Sequence, residues 1–206
     1  MSNPNYYEVK LFNNTKEMLK ESVNTYGERP AYKERRKENG GKYKEITFNE
    51  FKQDVDALGT ALIDMGLEDE TIFITAKNGY KYVTTCRSVM GGVGCISPTN
   101  KDLPEDELQD LISRSKSKAV FFTDETKKKI MNIAKKIDTV KYYINLSGGD
   151  PENDILSYDD VLANGKKLAE NGDIRYINKE IDDDKMAMLL FTSRYYRQTK
   201  RRYAVK

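Results

Sequence analysis

The sequence predicts an α/β protein built on a doubly wound parallel sheet flanked by helices, and three observations lead there. From Thr71 onward, short β-rich runs alternate with helical patterns; alternation of this kind implies parallel pairing through right-handed crossovers. Capping residues such as Thr47 and Pro104 open the helical stretches where the crossovers need them. The apolar runs are short, the longest being Met186–Phe191, so each suits a strand buried within a sheet.

The elements follow in order. Thr15–Thr25 places Met18, Leu19 and Val23 at helical spacing, with Gly27 as a stop. Pro30-Ala31-Tyr32 and Tyr43–Thr47 read as short strands around a charged turn at Gly40-Gly41. Thr47 caps a long helix whose Phe48, Phe51, Val55, Leu58, Ala61, Leu62 and Met65 share one face, with Gly66 at its end. Glu50, three residues after Thr47, completes a capping box.

Thr71–Thr75 is a strand, Tyr80–Met90 a helix, and Val93–Ser97 a strand closed by Pro98. Pro104 opens a helix with Glu105, Asp106 and Glu107 in its first turn, where negative charge suits the dipole. Then come a strand at Ala119–Thr123, a helix at Glu125–Ile137 and a strand at Val140–Leu146. A polar loop over 147–154 leads to a helix at Ser157–Glu170, and Met186–Thr192 is the final strand.

Composition narrows the class. The 206 residues are 38% apolar and 33% charged, which fits a globular chain. No apolar run approaches the ~18 residues of a membrane span. The start, MSNPNYYEVK, has no basic region followed by an apolar core, so the expectation is a cytoplasmic protein. The chain has no histidine, which excludes His-based triads and His-ligated metals. Cys86 and Cys95 match no zinc or redox spacing and read as reduced thiols near the core. The lysines around Lys127–Lys129 read as a solvated helix face, and Asp182–Asp184 as a polar loop, with metal binding not expected.

The formal charge of +2 conceals an asymmetry. Residues 194–206 hold Arg194, Arg197, Lys200, Arg201, Arg202 and Lys206 with no acid; removing those six cations turns +2 into −4. Arginines interleaved with Tyr195, Tyr196 and Tyr203 allow a nucleic-acid contact segment, pairing phosphates and stacking on bases. The acidic body gives that reading no support, and specific nucleic-acid binding is not expected. A non-catalytic interaction module is the other alternative.

Several motifs together resemble the AMP-forming acyl-CoA synthetases of the adenylate-forming superfamily. These are Pro30-Ala31-Tyr32, ITFNEF at Ile46–Phe51, MGL at Met65–Leu67, the stretch Asn78–Leu108, and FTS at Phe191–Ser193. NKDLPEDEL followed by SRSKSKAVFFTDE is most similar to the long-chain fatty acid branch. The resemblance runs from about Thr15 to Ser193 and implies an incomplete sheet, the N-terminal region of that fold. It also implies ATP, Mg²⁺ and coenzyme A as cofactors, a fatty acid substrate, and an acyl-adenylate intermediate.

In that family the strand leads into Phe-Thr-Ser-Gly-Thr-Thr-Gly-x-x-Lys-Gly, a loop around the ATP phosphates. Glycines there let backbone N–H groups converge on phosphate oxygens without Cβ obstruction. Here Phe191, Thr192, Ser193 and Lys200 match, but Arg194, Tyr195, Tyr196, Arg197 and Arg201 replace the small residues. Thr192 and Ser193 are therefore either strand-end residues or the surviving edge of an ATP site. Asn78 and Gly79 read as a turn and helix start.

RYYRQTKRRYAVK can be encoded so that deleting one base yields Gly-Thr-Thr-Gly-Lys-Gln-Lys-Gly-Val-Met-Leu-Ser-Asn, the family motif and its continuation. The expectation is a single-base insertion near the Ser193 codon. Residues 1–193 are then the front of an AMP-binding domain and 194–206 an out-of-frame basic tail, in which Lys200 matches by coincidence. Such a chain is expected to lack ligase activity and to leave its last strand as an exposed apolar edge, favouring aggregation.

Overall fold

The computed structural model describes residues 10–35 and 40–192, and the backbone of 200–204. Helix α1 (Thr15–Tyr26) precedes an antiparallel ribbon of β1 (Pro30–Arg35) and β2 (Tyr43–Thr47). Helix α2 (Phe48–Asp64) begins with the capping box read from the sequence. The Thr47 hydroxyl accepts from the Glu50 N–H at 3.1 Å, and the Glu50 carboxylate accepts from the Thr47 N–H at 2.8 Å.

Strand β3 (Glu70–Thr75), helix α3 (Tyr80–Ser88), β4 (Gly94–Pro98), α4 (Glu105–Ser115), β5 (Ala119–Phe122), α5 (Asp124–Ala134) and β6 (Tyr142–Asn145) then alternate. Next come β7 (Ile155–Ser157), α6 (Tyr158–Glu170), the short α7 (Arg175–Asn178), β8 (Met188–Thr192) and β9 (Lys200–Ala204). The main sheet is seven-stranded, in the order β7-β6-β5-β3-β4-β8-β9. Neighbours pair in parallel except β9, which lies antiparallel on β8.

Both faces of the sheet are covered, and strand alternation assigns the residues to them. Ile72 and Ile74 of β3 join Ile96, Phe121 and Ile144 beneath α2, α3 and α6, with Leu58, Leu62 and Val161. Phe73 faces the other way and joins Val120 and Phe122 beneath α4 and α5, with Leu108, Ile112, Ile130 and Ile133. Helix α6 approaches α2 so closely that a Cβ at Gly165 would stand 1.9 Å from the Ala57 carbonyl oxygen.

The predicted helix over Tyr80–Met90 ends sooner, because Val89–Val93 forms a wider π-helical turn. Gly92 breaks it at φ +137°, and a Cβ at Gly94 would lie 2.2 Å from the Glu70 carbonyl oxygen. The glycines of this segment thus turn the chain and let β4 start against β3.

Two further features depart from the expectations. Strand β7 covers Ile155 and Leu156, which the sequence reading left between a loop ending at Asp154 and a helix, and Ser157, read as that helix's start. The outer edge of β8 is not open: β9 pairs with it from Met188↔Ala204 to Thr192↔Lys200. An unpaired strand edge offers a row of N–H and C=O groups to any nearby extended segment, and the tail takes that place.

Candidate functional site

In an open α/β sheet, ligands bind beyond the carboxyl ends of the strands. At that end the chain leaves β8 at Thr192, which is half-buried and stands at the last register position of the strand. Ser193, the second predicted site residue, lies outside the described residues, as do 194–199. The backbone of Lys200, the third, is directly opposite Thr192 in the β8–β9 ladder. Lys200 thus enters an antiparallel strand rather than a loop folding over the strand end.

Beside β8 a cleft of about 560 Å³ opens between α4 and the carboxyl ends of β4 and β8. Pro98, Thr99, Leu103, Leu111, Leu190 and Phe191 give it apolar walls, and Asn100 and Tyr82 add polar atoms. Asp106, Glu107 and Asp110 of α4 line it as well. The sequence reading takes Asp106 and Glu107 only as partners of the helix dipole and does not single out Asp110. Arg114 partly balances them, bonding Asp110 at 3.0 Å and lying 5.6 Å from the centre of the Phe191 ring. The cleft suits an apolar or cationic occupant better than a polyphosphate.

Other residues singled out in the sequence have structural employment. Gly79 is the N-cap of α3, with Asn78 in the bend before it. The lysines of α5 are not all free in solvent: Lys127 pairs with Asp150 at 2.8 Å, and Lys129 donates to the carbonyls of Leu103 at 2.9 Å and Lys101 at 3.4 Å. Asp182–Asp184 lie before β8, where the Asp184 N–H donates to the Asp182 carboxylate at 2.9 Å. Both cysteines are free and buried, and burial pushes each thiol up to about 11.

Tyr176 of α7 is fully buried. Its phenol donates to the Ser88 carbonyl at 3.1 Å, and burial raises its pKa. Desolvation lowers the pKa of Lys16, whose ammonium donates to the carbonyls of Tyr176 at 2.6 Å and Lys179 at 2.9 Å. No helix among the described residues is long and apolar enough to cross a membrane.

Comparison with known proteins gives this geometry a context. Residues 19–193 match the family described as AMP-binding enzyme. The Dictyostelium discoideum protein fatty acyl-CoA synthetase B is 23% identical over 188 residues, which is 85% of this chain and 27% of that relative. The chain therefore spans little more than a quarter of the relative's length. A putative long-chain-fatty-acid CoA ligase from Rhodopseudomonas palustris superposes with a TM-score of 0.72 at 13% identity, over 87% of this chain and 42% of that one. The anthranilate CoA ligase AuaEII, solved with anthranoyl-AMP, superposes with a TM-score of 0.79 at 14% identity, over 96% and 35%. At such identities the structural likeness establishes the fold.

Proposed function

Because this chain belongs to the AMP-binding enzyme family, matching it from residue 19 to residue 193, we propose that it corresponds to the amino-terminal part of a fatty acyl-CoA ligase. The whole enzyme would join a fatty acid to the thiol of coenzyme A through an acyl-adenylate, releasing AMP and pyrophosphate. ATP with Mg²⁺ would supply the activated phosphorus, and the protein would neutralise phosphate charge and orient the carboxylate for in-line attack. We assign this chemistry to the cytoplasm.

The observation that carries the reading is the junction at Thr192. A strand of the parallel sheet ends there at Phe191-Thr192, Ser193 follows in the sequence, and Lys200 recurs at the family spacing. Thr192 and Ser193 would supply hydroxyl donors at the edge of the phosphate site. The rest of the loop does not fit the phosphates. Residues 193–199 contain no glycine, the residue that most readily takes up the positive-φ turns that aim successive N–H groups at one anion. The antiparallel course of β9 from Lys200 also favours an ordinary edge strand over a phosphate cradle.

The same observations support two domains of reading: 1–193 as the front of an AMP-binding domain, and 194–206 as an out-of-frame segment. That β9 pairs with β8 is compatible with a coincidental sequence, since backbone hydrogen bonding demands little of side chains. The chain itself would then have no ligase activity. Sequencing the gene tests the frame: ligase-like sequence one base out of register after the Ser193 codon is expected, and its absence in every frame would overturn the reading. ATP- and coenzyme A-dependent thioester formation from a long-chain fatty acid by the purified chain would overturn the inactivity.

A further inference from the structure

At the end of the sheet opposite Thr192, where α3 delivers the chain to the start of β4, a small recess of about 140 Å³ is enclosed by α1, α2, α3 and α7. Its walls carry Lys16, Lys20, Lys52 and Arg87 against a single carboxylate, Asp56. Lys52 already pairs with Asp56 along α2. Lys16 is held by two carbonyls and stands 4.8 Å from the centre of the Tyr176 ring, so its charge is fixed in place without an acid of its own. Neither Lys20 nor Arg87 forms an ion pair among the described residues.

The surplus of positive charge has a shape. Lys16 and Lys20 project from the first half of the 12-residue α1, one helical turn apart. Thr15, in the same wall, has a buried hydroxyl with no hydrogen-bond partner. Arg87 contributes a planar donor array suited to two oxygens of one anion. The volume equals that of several waters, each occupying about 30 Å³ in the liquid, which limits the occupant to a compact group.

We propose that this recess between α1, α2, α3 and α7 binds a phosphate dianion, either inorganic phosphate or the phosphomonoester end of a larger molecule. Lys20 and Arg87 would close on its oxygens, and Lys16 and Lys52 would hold it by charge from the floor. The site is separate from the strand-end loop, because α3 spans the sheet between them. Its occupancy does not depend on the ligase reading.

The test is thermal unfolding of the 206-residue chain at 0.15 M NaCl, titrated with inorganic phosphate or with glycerol 3-phosphate. A saturable rise in melting temperature is expected. Lys20→Gln and Arg87→Gln should each weaken the apparent affinity about tenfold or more, the level of a hydrogen bond between charged partners. Lys128→Gln, an exposed cation on α5 beneath the other face, should leave it unchanged. Lys20→Glu places a carboxylate in the recess, and should raise the melting temperature without ligand while abolishing the response. A response to both compounds assigns the site to phosphate itself, and a response to the ester alone assigns it to a larger phosphomonoester. No saturable response to either, or equal responses in all variants, would overturn the proposal.

Discussion

Tyr176 and Gly59 offer a sharp test of how this fold is held together. A Cβ built at Gly59 would stand 2.3 Å from a carbon of the Tyr176 ring, whereas carbon atoms rest about 3.5–4.0 Å apart. The ring is fully buried and tied to Ser88 by its hydroxyl, so it has little room to yield. Overpacking of this kind costs about 1–3 kcal/mol, offset by the ~1 kcal/mol that alanine gains over glycine inside a helix. Gly59→Ala should therefore destabilise the chain by up to about 2 kcal/mol net. Tyr176→Ala alone should cost about 3–5 kcal/mol, as for other large aromatic deletions. In that background the obstruction is gone and the propensity gain remains, so Gly59→Ala should stabilise by about 0.5–1 kcal/mol. Urea unfolding of the four proteins of this double-mutant cycle measures the change of sign. An equal loss from Gly59→Ala in both backgrounds would show that the glycine is not there to admit the ring.

Three further outcomes are expected. Thr47→Ala removes the hydroxyl side of the α2 capping box and should lower stability by about 1 kcal/mol in the same urea assay. Glu50, Asp69, Asp150 and Asp173 are held below the usual carboxylate range, mainly by the Thr47 N–H, Lys185, Lys127 and Arg175 respectively. Their stabilisation is complete above the unfolded carboxylate values of about 4 and is lost as pH falls through the lower folded values. The urea midpoint should therefore drop on acidification below about pH 4, and Lys185→Gln should make that drop shallower. Both thiols, buried and raised to about 11, should react slowly with a disulfide reagent at pH 8 and rapidly once urea unfolds the chain; rapid native labelling would contradict their burial.

Elements with a full period of side chains were legible in the sequence, and shorter ones were not. The stripe from Phe51 to Leu62 marked α2, and the runs around Ile72, Ile96 and Phe121 marked core strands. Ile155–Ser157 and Arg175–Asn178 are too short to show any period. The seat of Tyr176 was hidden for another reason: the glycines that make room for it, Gly59 and Gly91, come from other elements. The recess with four cations was invisible for the same cause, since each helix alone carries an ordinary surface charge. At the strand-end site, FTS and the distant lysine marked the junction at Thr192. They did not foretell the antiparallel return, because a broken motif says what a segment has lost and not what it pairs with instead.

That return has a bearing on how copies of the chain meet. With β8 paired on both sides, the margin of the sheet passes to a strand whose sequence includes Lys200, Arg201 and Arg202 in succession. A second copy reaching this edge thus meets a ladder already filled, and the row of N–H and C=O groups that bare β8 would offer is taken up within the chain.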